Sequence, residues 1–96
     1  MNAYLILDLS IRDFPAFREY IEKIPELIGK HSGRYAVQGV EPTVIEGDWK
    51  PERVVVIEFP SRKSAEEFLR DPEARVLFEI RHNATTSKLL LVDGCL

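Results

Sequence analysis

Arg53-Val54-Val55-Val56-Ile57-Glu58-Phe59 is the strongest strand signal in the chain. Val54, Val55, Val56 and Ile57 are β-branched in succession, and such side chains prefer an extended backbone. The run is apolar without alternation, which marks a strand covered on both faces. Pro60-Ser61 stops it downstream, and Asp48-Trp49-Lys50-Pro51-Glu52 reads as a turn upstream.

Working back from that turn, residues 34–48 read as extended. Gly39 and Pro42 interrupt them, so the expectation is a bent or two-part strand. Before it lies a helical region. Asp13 is its cap, Pro15 sits in the first turn where a missing N–H costs nothing, and Phe14, Phe17, Ile21, Ile24 and Ile28 recur at spacings of three and four. This stripe is expected to be core. Pro25 removes a bond to the Ile21 carbonyl and predicts a kink or break; Gly29 and Gly33 frame the end. At the start of the chain, Ala3, Leu5, Leu7 and Leu9 alternate with Tyr4, Ile6 and Asp8, the period of a strand.

Downstream of the central run, Ser61 caps a helix through Arg70. Asp71-Pro72-Glu73 starts another, with a cap, a proline at the first position and an acid in the first turn. Ala74, Leu77 and Phe78 face inward from it, Asn83 ends it, and residues 87–92 form the last strand. The order β-α-β-β-α-β, with the second helix in two pieces, predicts an α+β ferredoxin-like domain over residues 1–96: an antiparallel sheet of strand order 4-1-3-2 with helices on one face. The other face would carry Tyr4, Ile6, Val54, Val56 and either Leu89 with Leu91 or Leu90 with Val92. An apolar patch of that size calls for a partner, and a symmetric sheet-to-sheet homodimer is the simplest one.

Composition sets the outer bounds. Ninety-six residues, 45% of them apolar, make one domain with a modest core. The net charge of −3 argues against a nucleic-acid partner, because phosphate binding wants a basic face. Cys95 is the single cysteine, so no intrachain disulfide can form, which fits a reducing compartment. The apolar stretch 4–7 is too short for a signal peptide, and no segment approaches membrane-spanning length. The chain therefore reads as soluble and cytoplasmic.

Ser32-Gly33-Arg34-Tyr35, Glu46-Gly47-Asp48-Trp49-x-Pro51-Glu52-Arg53, Glu58-Phe59-Pro60-Ser61 with Ala65, and Arg81 ahead of Ser87 stand in that order. Together they resemble the small bacterial family called domain of unknown function 1330, nearly end to end. The resemblance implies a ferredoxin-like fold of the dimeric α/β-barrel class. That wider class includes cofactor-free monooxygenases, lactone isomerases and proteins of no known activity, so it leaves function open. One departure is visible: the family often has two glycines where this chain has Ser32-Gly33.

No P-loop, dinucleotide-binding glycine motif or metal-ligand cluster is present, and no cofactor or metal is expected. His31 and His82 read as surface or helix-end residues rather than ligands. Strand direction brings Asp8 and Ser87 to one rim, together with Arg81, His82 and the Glu46–Arg53 turn with Trp49 at its tip. Arg81 is then placed to meet Glu46 or Asp8. Functionally this would be a cleft between the sheet and the rim, near the dimer seam, in which an arginine holds a carboxylate or enolate of a small anionic or aromatic metabolite, with Trp49 as a wall. Structurally it would be a salt bridge pinning the turn, with Trp49 at the dimer contact. Glu58 ends a very apolar strand. It could act as a general base, pair with Arg34, or accept from Tyr4 or Tyr35. Arg81, Glu46, Trp49, Glu58, Asp8 and Ser87 are thus the candidate ligand-binding residues. The competing expectation is a non-catalytic interaction module whose polar groups satisfy one another.

Overall fold

The computed structural model describes residues 1–96. Its elements are β1 (Ala3–Ile11), α1 (Phe14–Lys30), β2 (Arg34–Val40), β3 (Arg53–Phe59), α2 (Arg62–Arg70), α3 (Pro72–Ala84) and β4 (Thr85–Asp93). The four strands form one antiparallel sheet of order β2-β3-β1-β4. This is the expected α+β ferredoxin-like arrangement, with α1, α2 and α3 on one face.

Each helix starts where a short polar side chain can satisfy a free N–H. Asp13 accepts from the Ala16 amide at 3.2 Å, Ser61 from Ser64 at 3.1 Å, and Asp71 from Glu73 at 2.9 Å. Asp71 at once ends α2 and caps α3. The core lies between the helices and the inner face of the sheet. There Leu5, Leu7, Leu9, Ile57 and Phe59 meet Phe17, Ile24, Phe68 and Leu77. Phe59 is fully buried and packs on Phe68 with ring centroids 5.4 Å apart. Gly33 is required beside it: a Cβ at that position would stand 2.6 Å from the Phe59 ring.

Several expectations need correction. α1 runs unbroken through Pro25. Ile21 and Pro25 both lie on the solvent side of the helix, where water can take the carbonyl bond that proline leaves free. The buried stripe of α1 is Phe17, Tyr20, Ile24, Leu27 and Ile28. Phe14 and Ile21 remain 50% and 41% exposed. The helix is thus rotated toward α3 relative to the stripe read from its most apolar residues.

β2 ends at Val40, and residues 41–52 form a loop. The bend expected at Gly39 is present as a bulge: the register slips between Gln38 and Val40, and Gly39 takes φ +66°, a conformation that favours glycine. Ser32 takes φ 64° at the turn into β2, a left-handed position occupied by a non-glycine residue. β1 extends to Ile11, and β4 begins at Thr85 rather than 87. The pairings Tyr4↔Val92 and Ile6↔Leu90 settle the parity of β4, so Leu90 and Val92 share the open face with Tyr4, Ile6, Val54 and Val56.

Candidate functional site

The helices do not cover the inner face evenly. α1 packs against α3 and approaches the sheet beside β2. The result is a cleft of about 260 Å³ between α1 and the sheet, ten of whose thirteen lining residues are hydrophobic. Phe14, Phe17, Tyr20 and Ile21 form the helical wall. The sheet side is built from Leu7, Leu9, Val55 and Ile57, with Tyr35, Gln38, Gly39 and Arg53 toward β2. An apolar cavity of about 150 Å³ is enough to hold benzene, so this one has room for a substituted aromatic ring. Phe14, Phe17 and Ile21, expected to be core, are cleft wall as well.

Two hydroxyls interrupt the apolar lining. Tyr20 is buried beneath α1, stacked on Phe17 at a centroid distance of 5.0 Å. Tyr35 faces it from β2, and its hydroxyl makes no hydrogen bond to protein. Burial pushes the Tyr35 hydroxyl up to about 12, with the neighbouring Tyr20 adding to the shift, so it stays neutral and able to donate.

Arg81 stands behind Tyr20. It is 5% exposed, and its Nη1 donates to the Tyr20 hydroxyl at 3.2 Å. Nη2 lies 3.3 Å from Nε2 of His82, and Nε is buried with no hydrogen-bond partner. The guanidinium carbon sits 5.0 Å from the Phe78 ring centroid and 5.7 Å from that of Tyr20, within cation–π range. The expected pair of Arg81 with Glu46 or Asp8 does not form. Arg81 projects from α3 into the helix layer, and the rotation of α1 brings Tyr20 to it.

The rim does gather some of the predicted residues. Trp49 Nε1 donates to Asp8 Oδ2 at 3.0 Å, which brings the 41–52 loop onto the open sheet face. Asp8, Ser10, Trp49, Thr86 and Lys88 border a polar recess of about 410 Å³ there. Ser87 reaches the same rim, paired with Leu9, but on the helix-covered face, so it shares no cleft with Asp8. Glu46 is exposed, with no hydrogen bond or ion pair.

Glu58 lies at the other end of the open face. Of the alternatives open to it, it takes Arg34: both Nε and Nη2 of that residue donate to Glu58 Oε1, at 3.1 and 2.9 Å. A second ionic centre, unforeseen from the sequence, joins the helices. Asp71 Oδ2 accepts from Lys30 at 2.9 Å and lies 2.8 Å from His31 Nε2. The His31 hydrogen bond above all, then Lys30 and the Glu73 amide, hold the Asp71 carboxyl well below the usual carboxylate range. His31 is thus a helix-end residue engaged in structure.

Tyr20 has no role in the sequence reading, and Tyr35 enters it only as a possible donor to Glu58, from which the sheet separates it: Tyr35 pairs with Ile57 on the helix-covered face. The available signal was the spacing of Tyr20 from Phe17 and Ile24 by three and four, which puts it on the buried stripe. No group of three metal-ligating side chains occurs, and no helix is long and apolar enough to cross a membrane.

Known structures share this architecture at low identity. A protein of unknown function from Rhodopseudomonas palustris superposes with a TM-score of 0.80 at 19% identity, over 99% of this chain and 83% of its own. SnoaB, a cofactor-independent oxygenase from Streptomyces nogalater, gives 0.72 at 11% identity, covering 99% and 94%. A dimeric protein of unknown function and ferredoxin-like fold from Bacteroides fragilis gives 0.57 at 13%, covering 97% and 96%. No curated protein matches the chain in sequence. The residues quoted for the family resemblance lie within one match that spans nearly the whole chain: the protein belongs to the family described as Domain of unknown function (DUF1330), over residues 2–95.

Proposed function

We propose that this chain is the subunit of a cytoplasmic homodimer that binds a small aromatic metabolite, and converts it without a cofactor, in the cleft between α1 and the sheet. The observation that carries this is the cleft itself: a mostly apolar space with two tyrosine hydroxyls, the composition typical of small-molecule sites. The likeness of fold to a cofactor-independent oxygenase supports the second part. Of the six residues expected to form one site, Arg81 belongs to this cleft by way of Tyr20. Asp8 and Trp49 frame the open face, with Glu46 outside in the loop, Glu58 at the far end and Ser87 beneath the rim. The open face, with Leu90 62% and Val92 38% exposed, is where the second subunit sits in this proposal. The dimeric protein of ferredoxin-like fold from Bacteroides fragilis supports a two-chain assembly, without bearing on which face pairs.

The alternative, a non-catalytic interaction module, draws on the mutual pairing of Glu58 with Arg34 and of Asp8 with Trp49. Native mass spectrometry separates the two. The proposal expects a mass of two chains carrying a stoichiometric small molecule that denaturation releases. A monomer that carries nothing speaks against both the pairing and the binding role.

A further inference from the structure

Arg81 is a buried cation for which the protein supplies no carboxylate. Its partners are one hydroxyl, one imidazole nitrogen and two ring faces, and its Nε has none. An arginine only donates, so the Tyr20 oxygen must accept from it. The Tyr20 proton is then free for another acceptor, and no protein group takes it. Tyr35 faces the same space with its hydroxyl also uncommitted and neutral. A hydrogen-bond chain backed by a charge in a low-dielectric setting is polarised along its length, which makes the terminal hydroxyl a stronger donor. Tyr20, backed by that charge, and Tyr35, which has no protein partner, are two hydroxyl donors on one mostly apolar space, and this suits an oxygen that bears negative charge.

We infer that the polar end of the cleft, Tyr20 and Tyr35 with Arg81 behind Tyr20, holds the anionic oxygen of a phenolate or enolate ligand whose ring or carbon skeleton fills the apolar remainder. This inference rests on the cleft being the ligand site. It adds the chemical class of ligand and the orientation in which it binds. Arg81 is a positioning residue here, since it acts through the Tyr20 hydroxyl. The other cation at the cleft, Arg53, donates to the Gly39 carbonyl at 3.0 Å and is exposed at the mouth.

The test compares two probes of nearly the same shape, 4-nitrophenol and nitrobenzene, by equilibrium titration of the intact protein. The expected result is that both bind, and that bound 4-nitrophenol is drawn toward its phenolate form, read from its visible absorbance. Tyr20→Phe and Tyr35→Phe should each weaken 4-nitrophenolate by about tenfold, the scale of one hydrogen bond to a charged group. Each should leave nitrobenzene within about twofold, because the apolar contact is unchanged. Tyr35 has no protein hydrogen bond to lose, so Tyr35→Phe keeps the test sound even if Tyr20→Phe folds poorly. If nitrobenzene binds but the tyrosine variants hold 4-nitrophenolate as well as the parent does, the inference fails and the cleft survives. A loss confined to Arg53→Met also overturns it, in favour of the mouth. If neither probe binds, the cleft reading fails and takes the inference with it.

Discussion

Arg81 Nη1 meets the Tyr20 hydroxyl at 3.2 Å inside the helix layer, and no carboxylate neutralises the guanidinium. A buried charge without a counter-ion is a cost in the folded state. Replacing it with an apolar side chain of similar length removes that cost. Arg81→Met should therefore leave stability within about 1 kcal/mol of the parent, or raise it, while weakening 4-nitrophenolate binding. Urea unfolding at pH 7 alongside the titration checks both. A loss of about 3 kcal/mol or more would show Arg81 to be a structural tie instead.

Asp71 makes the fold sensitive to acid. Its carboxyl in the folded chain lies below its ordinary value of 3.8. A carboxyl with a depressed folded value contributes stability that is fully present above the unfolded value and is lost as pH falls toward the folded one. The parent's urea midpoint should then drop as pH is lowered from about 5 to 3, with Asp71 supplying part of the slope. Asp71→Asn can still cap α3, but it carries no charge for Lys30. Its midpoint should be lower at pH 7 and flatter through the acid range; parallel profiles would remove Asp71 from the account.

The turn into β2 holds a non-glycine residue in the left-handed region, a strain that glycine would relieve. Ser32 has φ 64°, where a side chain with a Cβ costs about 1–2 kcal/mol. Glycine removes this but adds freedom to the unfolded chain, worth about 0.5–1 kcal/mol. Ser32→Gly should stabilise by up to about 1 kcal/mol and raise Tm by a few degrees, measured by thermal unfolding. Ser32→Ala should do nothing of the kind. Equal effects from the two would mean the turn is unstrained.

The open sheet face yields a prediction about assembly. Leu90 lies opposite Ile6 and is 62% exposed in the single chain, so a charge there barely disturbs one subunit. In a sheet-to-sheet dimer the same charge would be desolvated without a partner, which costs several kcal/mol. Leu90→Glu should therefore sediment as a folded monomer with unchanged far-UV circular dichroism. A dimer of undiminished affinity would put the second subunit elsewhere.

Much of the architecture was legible because local patterns carried it. Arg53–Phe59 is a strand on β-branching alone, and the split second helix follows from Asp71-Pro72. Trp49 and Asp8 were expected at one rim, and they meet there by a hydrogen bond. The candidate site was less legible, for a geometric reason. The rotation of α1 about its axis depends on how α3 packs against it, and that rotation decides whether Phe14 and Ile21 are core or cleft wall. It also decides whether Tyr20 reaches Arg81. Parity in β4 was ambiguous because Leu89, Leu90, Leu91 and Val92 are all apolar; only pairing with β1 distinguishes them.

A small aromatic molecule bound between α1 and the sheet should be visible by amide chemical-shift mapping during a nitrobenzene titration. The largest shifts should fall on Phe17, Tyr20 and Ile21 in α1 and on Tyr35, Val55 and Ile57 opposite. Shifts centred on Tyr4, Val56 and Leu90 of the open face, or no shifts at saturating probe, would contradict binding there.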